Sequence, residues 1–583
     1  MKYFLKNRRH FPVKAPRLFR KEAALFLIFC MTIASCACAQ KKDNRKFEIN
    51  RNLDYFNLVF KNVDLFYVDS IDAERTIQTG IRSMLKSLDP YTEFFPEKES
   101  DEFKMLMSGN YGGIGSLIML YKNGEICIAE PYENQPAARF GLKAGDILLE
   151  IDGESLKGLS TSQVSERLRG PSGSTLKVKV RRPGEKDPLE FNIVRSSIQI
   201  PTVPYYKKYP GNIGYIYLNS FTGEPSKEFK AAFLDLKKQG ITSLIIDLRN
   251  NTGGLMEEAV TIANYFLPKG QEIVTTRGKG QRVEQTYKTS NAPLDTEIPI
   301  VVLVNSVSAS ASEILAGAFQ DLDRAVIIGE RTYGKGLVQN TRALPYGASM
   351  KITTAKYYIP SGRCIQAIDY TKHESVNYGD TIPDSLTHEF RTKSGRLVRD
   401  GGGIMPDIVV KQPDMSTFAF SISTDIDTMR NIFDFATQYC LEHKKGIPTP
   451  DKFEISDEDY ARFQKQLQER NFTYKLISER LLKDLKTNLE REGYAEQAKA
   501  ETDALEQLFK PDIARDMQTF KKEVKQLIEM EIVRRYYFQR GEIELLLRSD
   551  DLMPKAFEVL GNEEQYHALL RPKATTAEAT AQK

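Results

Sequence analysis

The spacing of apolar side chains changes character three times along this chain. In residues 40–107, Leu53, Phe56, Val59, Phe60, Val63 and Phe66 recur at three-to-four spacing and predict one helix, while 73–88 predicts a second. Leu88-Asp89-Pro90-Tyr91-Thr92 breaks that pattern. From Tyr111 short apolar runs alternate with glycine-rich turns, at Tyr111-Gly112-Gly113-Ile114-Gly115, 126–129, 147–148 and 175–180, with 163–168 as a helix among them. Between 199 and 412, apolar runs at 213–218, 244–246, 300–304 and 325–329 read as strands, and 226–239, 256–266 and 313–320 read as helices. Strand, helix and strand in that order predict parallel pairing, with the carboxyl ends of the strands gathered on one edge where α/β sites are built. Beyond Pro413 the segments 460–469, 474–491, 494–509 and 520–540 are charged and amphipathic, as in a packed helical region, and 572–583 reads as a frayed tail.

The first 39 residues stand apart. Eight Lys and Arg precede an apolar stretch at 23–33 that is shorter than the roughly 20 residues of a membrane span and suits a secretory signal peptide. Ile33-Ala34-Ser35-Cys36 fits a lipobox with Cys36 as the acylated residue, and Ala37-Cys38-Ala39 fits cleavage before Gln40. Both readings place the mature protein in a bacterial periplasm or cell envelope. The leader carries a net charge of about +7 against +4 for the whole chain, so the remainder is near −3 and a nucleic-acid partner is not expected. Outside the leader only Cys127, Cys364 and Cys440 remain, too scattered for a disulfide framework or a zinc site.

Candidate chemistry lies in two turns that each follow an apolar run. The first is Asn305-Ser306-Val307-Ser308-Ala309-Ser310-Ala311-Ser312-Glu313, and the second is Glu330-Arg331-Thr332-Tyr333-Gly334-Lys335-Gly336. Parallel strands would bring Ser310 and Lys335 together. A serine hydroxyl needs a base, and a lysine amine serves as one only when neutral, which desolvation favours. Gln339 could hydrogen-bond the amine without adding charge, whereas a carboxylate touching Lys335 would hold it protonated. The N–H of Ala311, at the start of the predicted helix, and the turn Thr252-Gly253-Gly254 are candidate donors to an oxyanion. Taken alone, Ser308, Ser310 and Ser312 could merely cap a helix, and Lys335 could be a solvated turn residue.

Two resemblances extend this reading. Gly141-Leu142-Lys143-Ala144-Gly145-Asp146-Ile147-Leu148 with Ile151-Asp152-Gly153 resembles a PDZ domain. In that module a glycine-rich turn, assigned to Gly112, Gly113, Ile114 and Gly115, holds a peptide carboxylate beside an open strand edge. Over about 88–409, the chain resembles the C-terminal processing peptidases, or tail-specific proteases. The residues that carry this are Leu88-Asp89-Pro90, the PDZ pattern, Asp247-Leu248-Arg249-Asn250-Asn251, Ser308 to Glu313, Gly334-Lys335-Gly336-Leu337-Val338-Gln339, Tyr358 to Arg363 and Gly403-Ile404-Met405-Pro406-Asp407. The resemblance implies Ser310 as nucleophile, Lys335 as general base and Gln339 as the residue orienting it. It also implies Ala311 with Gly253 and Gly254 as the oxyanion hole, Asp321 as structural support and Arg169 as a PDZ residue coupled to the active site. Thr252 stands where relatives usually carry proline, and Val307 where many carry glycine.

The expected fold is therefore an α/β multidomain protein. It has a ClpP/crotonase-like protease core of parallel and mixed sheet with flanking helices, an inserted PDZ domain, and helical N- and C-terminal regions. The layout is leader 1–39, N-terminal helical region 40–107, PDZ domain 108–198, peptidase core 199–412, C-terminal helical region 413–571 and tail 572–583. The expected function is an exported serine endopeptidase without metal or cofactor, acting on proteins or peptides with exposed apolar C-termini. A silent PDZ scaffold is the alternative. An activating or adaptor lipoprotein, a lipid anchor and a homo-oligomer stay open. A penicillin-binding-type enzyme would use Ser-x-x-Lys on a helix, and Ser174-Thr175-Leu176-Lys177 lies in a predicted strand instead. None of the five histidines sits in a turn like those of Ser310 and Lys335, and His-Glu-x-x-His is absent.

Overall fold

The computed structural model describes residues 44–97, 99–100, 110–279, 284–368, 370, 384–424 and 430–572. The leader with Cys36, and the tail beyond Pro572, lie outside the described residues. The chain divides into two units, one ending at Ser87 and one beginning at Leu88. In the first, a helix at 44–66 precedes Ala73–Lys86, which Asp72 caps by accepting from the Arg75 N–H at 3.0 Å.

The second unit is built on a six-stranded sheet. Tyr205–Tyr209 pairs antiparallel with Ile213–Tyr217, and Ser243–Asp247, Ile300–Val304, Val326–Gly329 and Ile408–Val409 follow in parallel. Ile300–Val304 is apolar at every position because both of its faces are buried. Ile300, Val302 and Val304 pack with Phe229, Phe266 and Phe319 from Pro225–Lys238, the region just past Met256–Asn264, and Ala311–Asp321. Val301 and Leu303 pack on the opposite face with Leu552, Met553, Ala556, Val559 and Tyr566.

That second layer revises the expected layout. The helices Leu552–Leu560 and Glu563–Leu569 lie in the predicted C-terminal helical region, yet they form the second cover of the protease sheet. Tyr566 accepts from the Ile300 N–H at 2.9 Å and donates to the Ile300 carbonyl at 3.2 Å, and Asp550 pairs with Arg249. The change in composition at 413 marks a new core, but the last two helices leave that core for the protease sheet. The earlier part of the region, from Thr417–Thr424 through the long helix Lys521–Arg548, has its own core around Phe418, Phe435, Phe463, Ile528 and Ile532.

The expected N-terminal helical region is interrupted by a strand, with residues 97, 99 and 100 helical again after it. Glu93–Phe95 is a strand, paired antiparallel with Ser349–Tyr358 in a second sheet that also holds Glu272–Gly278, Glu284–Lys288 and Leu337–Ala343. Three residues are too few to show a period.

The PDZ segment forms an antiparallel sheet with Ser116–Leu120 at one edge, followed by Ile126–Pro131, Ile147–Ile151, Thr175–Arg181 and Leu189–Val194. The motif's Asp146 is fully buried and accepts two hydrogen bonds from Arg182, each at 2.7 Å, and one from the Lys143 N–H at 2.8 Å. Lys177 lies in the strand Thr175–Arg181 and pairs with Glu190, which removes the Ser-x-x-Lys reading. This module also meets the helical region: Tyr121 donates to Asp434 at 2.6 Å, Lys122 pairs with the same carboxylate, and Arg535 lies beside Ala144 and Gly145.

Truncation after Ser549 should abolish cooperative unfolding of the protease sheet, because Val301, Leu303, Val326 and Ile328 would lose their cover. Urea denaturation followed by tyrosine fluorescence is the check. A truncated chain with the full-length midpoint would make the last two helices an accessory.

Candidate active site

The serine turn and the lysine turn meet on one buried carboxylate. Glu313 is wholly buried on the first turn of Ala311–Asp321. Its Oε2 accepts from the N–H groups of Ser310 and Lys335, both at 2.9 Å. Its Oε1 accepts from the Gly334 N–H at 2.7 Å and the Thr332 hydroxyl at 2.6 Å. Tyr357, also buried, closes the other side: its hydroxyl lies 3.2 Å from the Ser310 carbonyl and also bonds the Lys335 carbonyl. So the backbones of Ser310 and Lys335 are held together by one acceptor and one donor.

Of the four serines in the turn, Ser308, Ser310 and Ser312 have different fates. Ser308 donates to the Leu248 carbonyl and Ser312 to the Asn251 carbonyl, each at 2.8 Å, and both are fully buried. They tie the turn to the neighbouring strand end, while Ser310, at the start of the helix, stays partly exposed. Ser310 has φ 57° and ψ −114°, a conformation that costs a non-glycine residue about 1–3 kcal/mol and is imposed by its surroundings.

Gly253 is pressed against this turn. A Cβ there would lie 2.8 Å from Ser310 Cβ and 3.0 Å from the Ala311 nitrogen, so only glycine fits. Its own N–H, however, donates to Asn251 Oδ1 at 2.9 Å. Of the expected oxyanion donors, Ala311 and Gly254 are therefore the two whose N–H groups are not engaged by another described residue. Asn251, part of the Asp247–Asn251 motif, takes Ser312 on its carbonyl and makes three further contacts. Its amide donates to the Leu218 carbonyl at 2.7 Å, its Oδ1 takes Gly253, and its carbonyl takes Ala309 at 3.0 Å.

Burial pushes the Lys335 amine below its ordinary range, and the nearby Lys351 adds to the shift. Glu313, Glu93 and Asp89 oppose it. Glu313 binds the backbone N–H of Lys335, not its amine. The amine itself lies 4.4 Å from the centre of the Tyr91 ring. No hydrogen bond joins it to the Ser310 hydroxyl or to Gln339 among the described residues. The Gln339 amide donates instead to Thr353 at 3.2 Å, so the expected Gln339–Lys335 contact is not made here. The reason is local: Gln339 follows a register shift in the hairpin of Leu337–Ala343 with Ser349–Tyr358, which sets it against Thr353.

Asp321 is buried and accepts from Arg363 at 2.8 Å and from the Ser361 N–H at 2.9 Å, which gives the two residues of that motif a bracing contact. Asp407, from the last motif, accepts from Arg396 at 2.6 Å, and Arg396 also binds Asp323 at 2.7 Å.

A groove of about 440 Å³ runs between the edge strand Ser116–Leu120 and the helix Thr161–Leu168. Gly113, Ile114 and Gly115 line it, with Leu117, Leu168 and Arg169. Gly112 does not: it sits in the strand Asn110–Gly113, and a Cβ there would lie 2.1 Å from the Gly170 carbonyl. The Arg169 guanidinium lies 5.6 Å over the Tyr111 ring at the groove wall, away from Ser310's own contacts.

A model of peptidase family S41 matches residues 212–376, a PDZ model matches 128–182, and a model of the helical C-terminal domain of PDZ-proteases matches 422–560. The carboxy-terminal-processing protease of Bartonella bacilliformis is 36% identical over 332 residues, covering 56% of this chain and 76% of that protein. This chain belongs to the carboxy-terminal-processing proteases. A Staphylococcus epidermidis protein named as a probable CtpA-like serine protease is 32% identical over 396 residues, covering 66% of this chain and 79% of its own. The solved photosystem II D1 C-terminal processing protease aligns at 27% identity and a TM-score of 0.33, over 61% of this chain and 92% of its own. The family membership makes the chain a serine-type peptidase with a PDZ domain.

Sequence reasoning overlooked Glu313 and Tyr357 as clamps. The position of Glu313, three residues after Ser310, is the capping-box spacing and was the available signal. Glu313→Gln would turn an NH₂ group toward donors and should destabilise the fold by about 2–3 kcal/mol. Burial raises the Glu313 pKa from 4.5 to about 7. The folded state therefore binds this proton more tightly than the unfolded chain. Keeping the group ionised costs stability fully above about pH 7, and the cost fades as the pH falls towards 4.5. Urea midpoints should drop as the pH is raised from 4.5 to 7.5 for the wild type, and this drop should be missing in Glu313→Gln.

Proposed function

We propose that this peptidase cuts with a Ser310–Lys335 dyad and selects substrates by their C-terminal carboxylate in the PDZ groove. The observation that carries the reading is the shared Glu313 clamp, which holds a strained serine and a desolvated lysine on adjacent backbones. In this reading Ser310 Oγ attacks the scissile carbonyl while the neutral Lys335 amine takes its proton. The N–H groups of Ala311 and Gly254 receive the oxyanion. The ammonium then protonates the leaving amine, an ester to Ser310 remains, and a water deprotonated by the same amine releases the acid.

The groove supports the substrate reading. Gly113 to Gly115 turn beside a strand that among the described residues has no strand neighbour on its outer side, which suits an extended peptide whose carboxylate meets backbone N–H groups and whose apolar side chain enters between Leu117 and Leu168. Arg169 in the groove wall is suited to sense that peptide. Gln339 would have to leave Thr353 to reach Lys335, so peptide binding and dyad assembly are read as linked. The leader implies export, with Cys36 as the lipid-bearing residue if the lipobox is used. Among the described residues no helix is long and apolar enough to cross a membrane.

Ser310→Ala and Lys335→Ala should each abolish cleavage of an unfolded substrate with an apolar C-terminus, and amidating that C-terminus should raise KM about tenfold or more. Full activity in Lys335→Ala would remove the dyad. Because burial lowers the Lys335 pKa and only the neutral amine acts as a base, kcat should rise with pH through a limb below the ordinary lysine value of 10.5. A pH–rate profile checks this.

A further inference from the structure

Resting on that dyad, we infer that Tyr91 is a positioning residue for Lys335: its ring face receives the amine and stabilises the ammonium that forms when the amine takes the Ser310 proton. Asp89, Pro90 and Tyr91 were read from the sequence only as a break between elements and part of a motif. In the structure they have a specific task. The buried Asp89 carboxylate accepts from the Tyr91 N–H at 2.8 Å, the Thr92 N–H at 2.7 Å and the Thr92 hydroxyl at 2.9 Å. This folds the turn back so that the Tyr91 ring centre stands 4.4 Å from Lys335 Nζ. The Tyr370 ring meets Tyr91 edge-on at 6.1 Å, and the hydroxyls of Tyr333 and Tyr370 lie 3.4 Å from that of Tyr91. Those hydroxyl contacts are long and weak, so the ring, not the phenol oxygen, makes the contact that matters. Thr92 continues the same turn to Thr353, whose N–H donates to it at 3.2 Å, and Thr353 in turn holds Gln339. One buried aspartate thus places both the ring on the amine and the resting partner of Gln339.

The chemistry needs such a group. A buried amine is readily neutral, but accepting a proton then creates a cation in a place poor in water. The charged groups around it are Lys351, which opposes that cation, and Glu313, Glu93 and Asp89, which favour it. Glu313 is already occupied by four donors, Asp89 by three hydrogen bonds and Glu93 by Lys351. An aromatic face attracts an ammonium without being a proton acceptor, so it stabilises the charged intermediate without competing for the serine proton.

The test keeps shape and varies the electrons of the ring. Tyr91→Phe should retain kcat within about twofold. Replacing that phenylalanine with its trifluorinated analogue, of nearly the same shape and with a depleted ring face, should lower the kcat reached above the acid limb about three- to tenfold at unchanged KM. It should also move the acid limb of the pH–kcat profile down by roughly half to one unit, because the ammonium is less favoured. Tyr91→Leu should do the same. An acid limb and kcat unmoved by fluorination, or a limb moved upward, would overturn the inference, since the ring would then act only as a plug against water. Lys335→Ala cleaving at the wild-type rate would overturn both this and the dyad. Unaffected ring variants in an enzyme that needs Lys335 would overturn this step alone.

Discussion

The arrangement of the site depends on one buried carboxylate. Glu313 lies on the helix that follows the serine turn, and it collects N–H groups from Ser310, Gly334 and Lys335 together with the Thr332 hydroxyl. An ionised carboxylate without partners is expensive to bury, and four donors answer much of that cost. Because the donors come from two separate strand-to-turn junctions, the two turns are satisfied only when adjacent. The strained backbone of Ser310 follows from the same contact, since its N–H must point at the carboxylate while its carbonyl starts the helix.

That clamp works only on a rigid frame. The parallel strands ending at Asp247, Val304 and Gly329 bring the turns after them to one edge, and both faces of these strands are buried. The second face is covered by the last described helices of the chain, so the frame that holds the serine turn is completed by residues more than two hundred positions later. Arg249 joins the two: it binds Asp247 at the strand end and Asp550 at the start of the covering helices. The turn that carries Gly253 therefore begins beside a contact with the C-terminal layer.

The helical region reaches the PDZ module close to the groove, where Arg430 donates to the Leu120 carbonyl at the end of the edge strand at 3.0 Å. The groove opens between Ser116–Leu120 and Thr161–Leu168, while Tyr121, Lys122 and Ala144 hold Asp434 and Arg535. Within Lys521–Arg548, Phe538 departs from helical geometry at φ 57° and ψ −163°, and Arg534 bridges that break to Glu542 with bonds of 2.7 and 2.6 Å. The peptide-binding module is thus mounted on a bent helix whose far end leads to Asp550.

Much of this was legible in sequence, because the signals were local. Continuous apolar runs marked strands buried on both faces, three-to-four spacing marked helices, and the Gly-Leu-x-Ala-Gly-Asp run marked the PDZ turn whose Asp146 proves to be a buried anchor for Arg182. Ser310, Lys335 and the tight Gly253 turn could be picked out for the same reason: each follows a strand at the edge where such strands end. What sequence could not decide were partnerships between distant segments. Which carboxylate would join the turns, that Tyr91 would lie on the Lys335 amine, that Gln339 would face Thr353, and that Leu552–Leu569 would complete the sheet all depend on side chains tens to hundreds of positions apart. Period and composition report how one segment meets water. Only the folded chain sets which buried donor finds which acceptor.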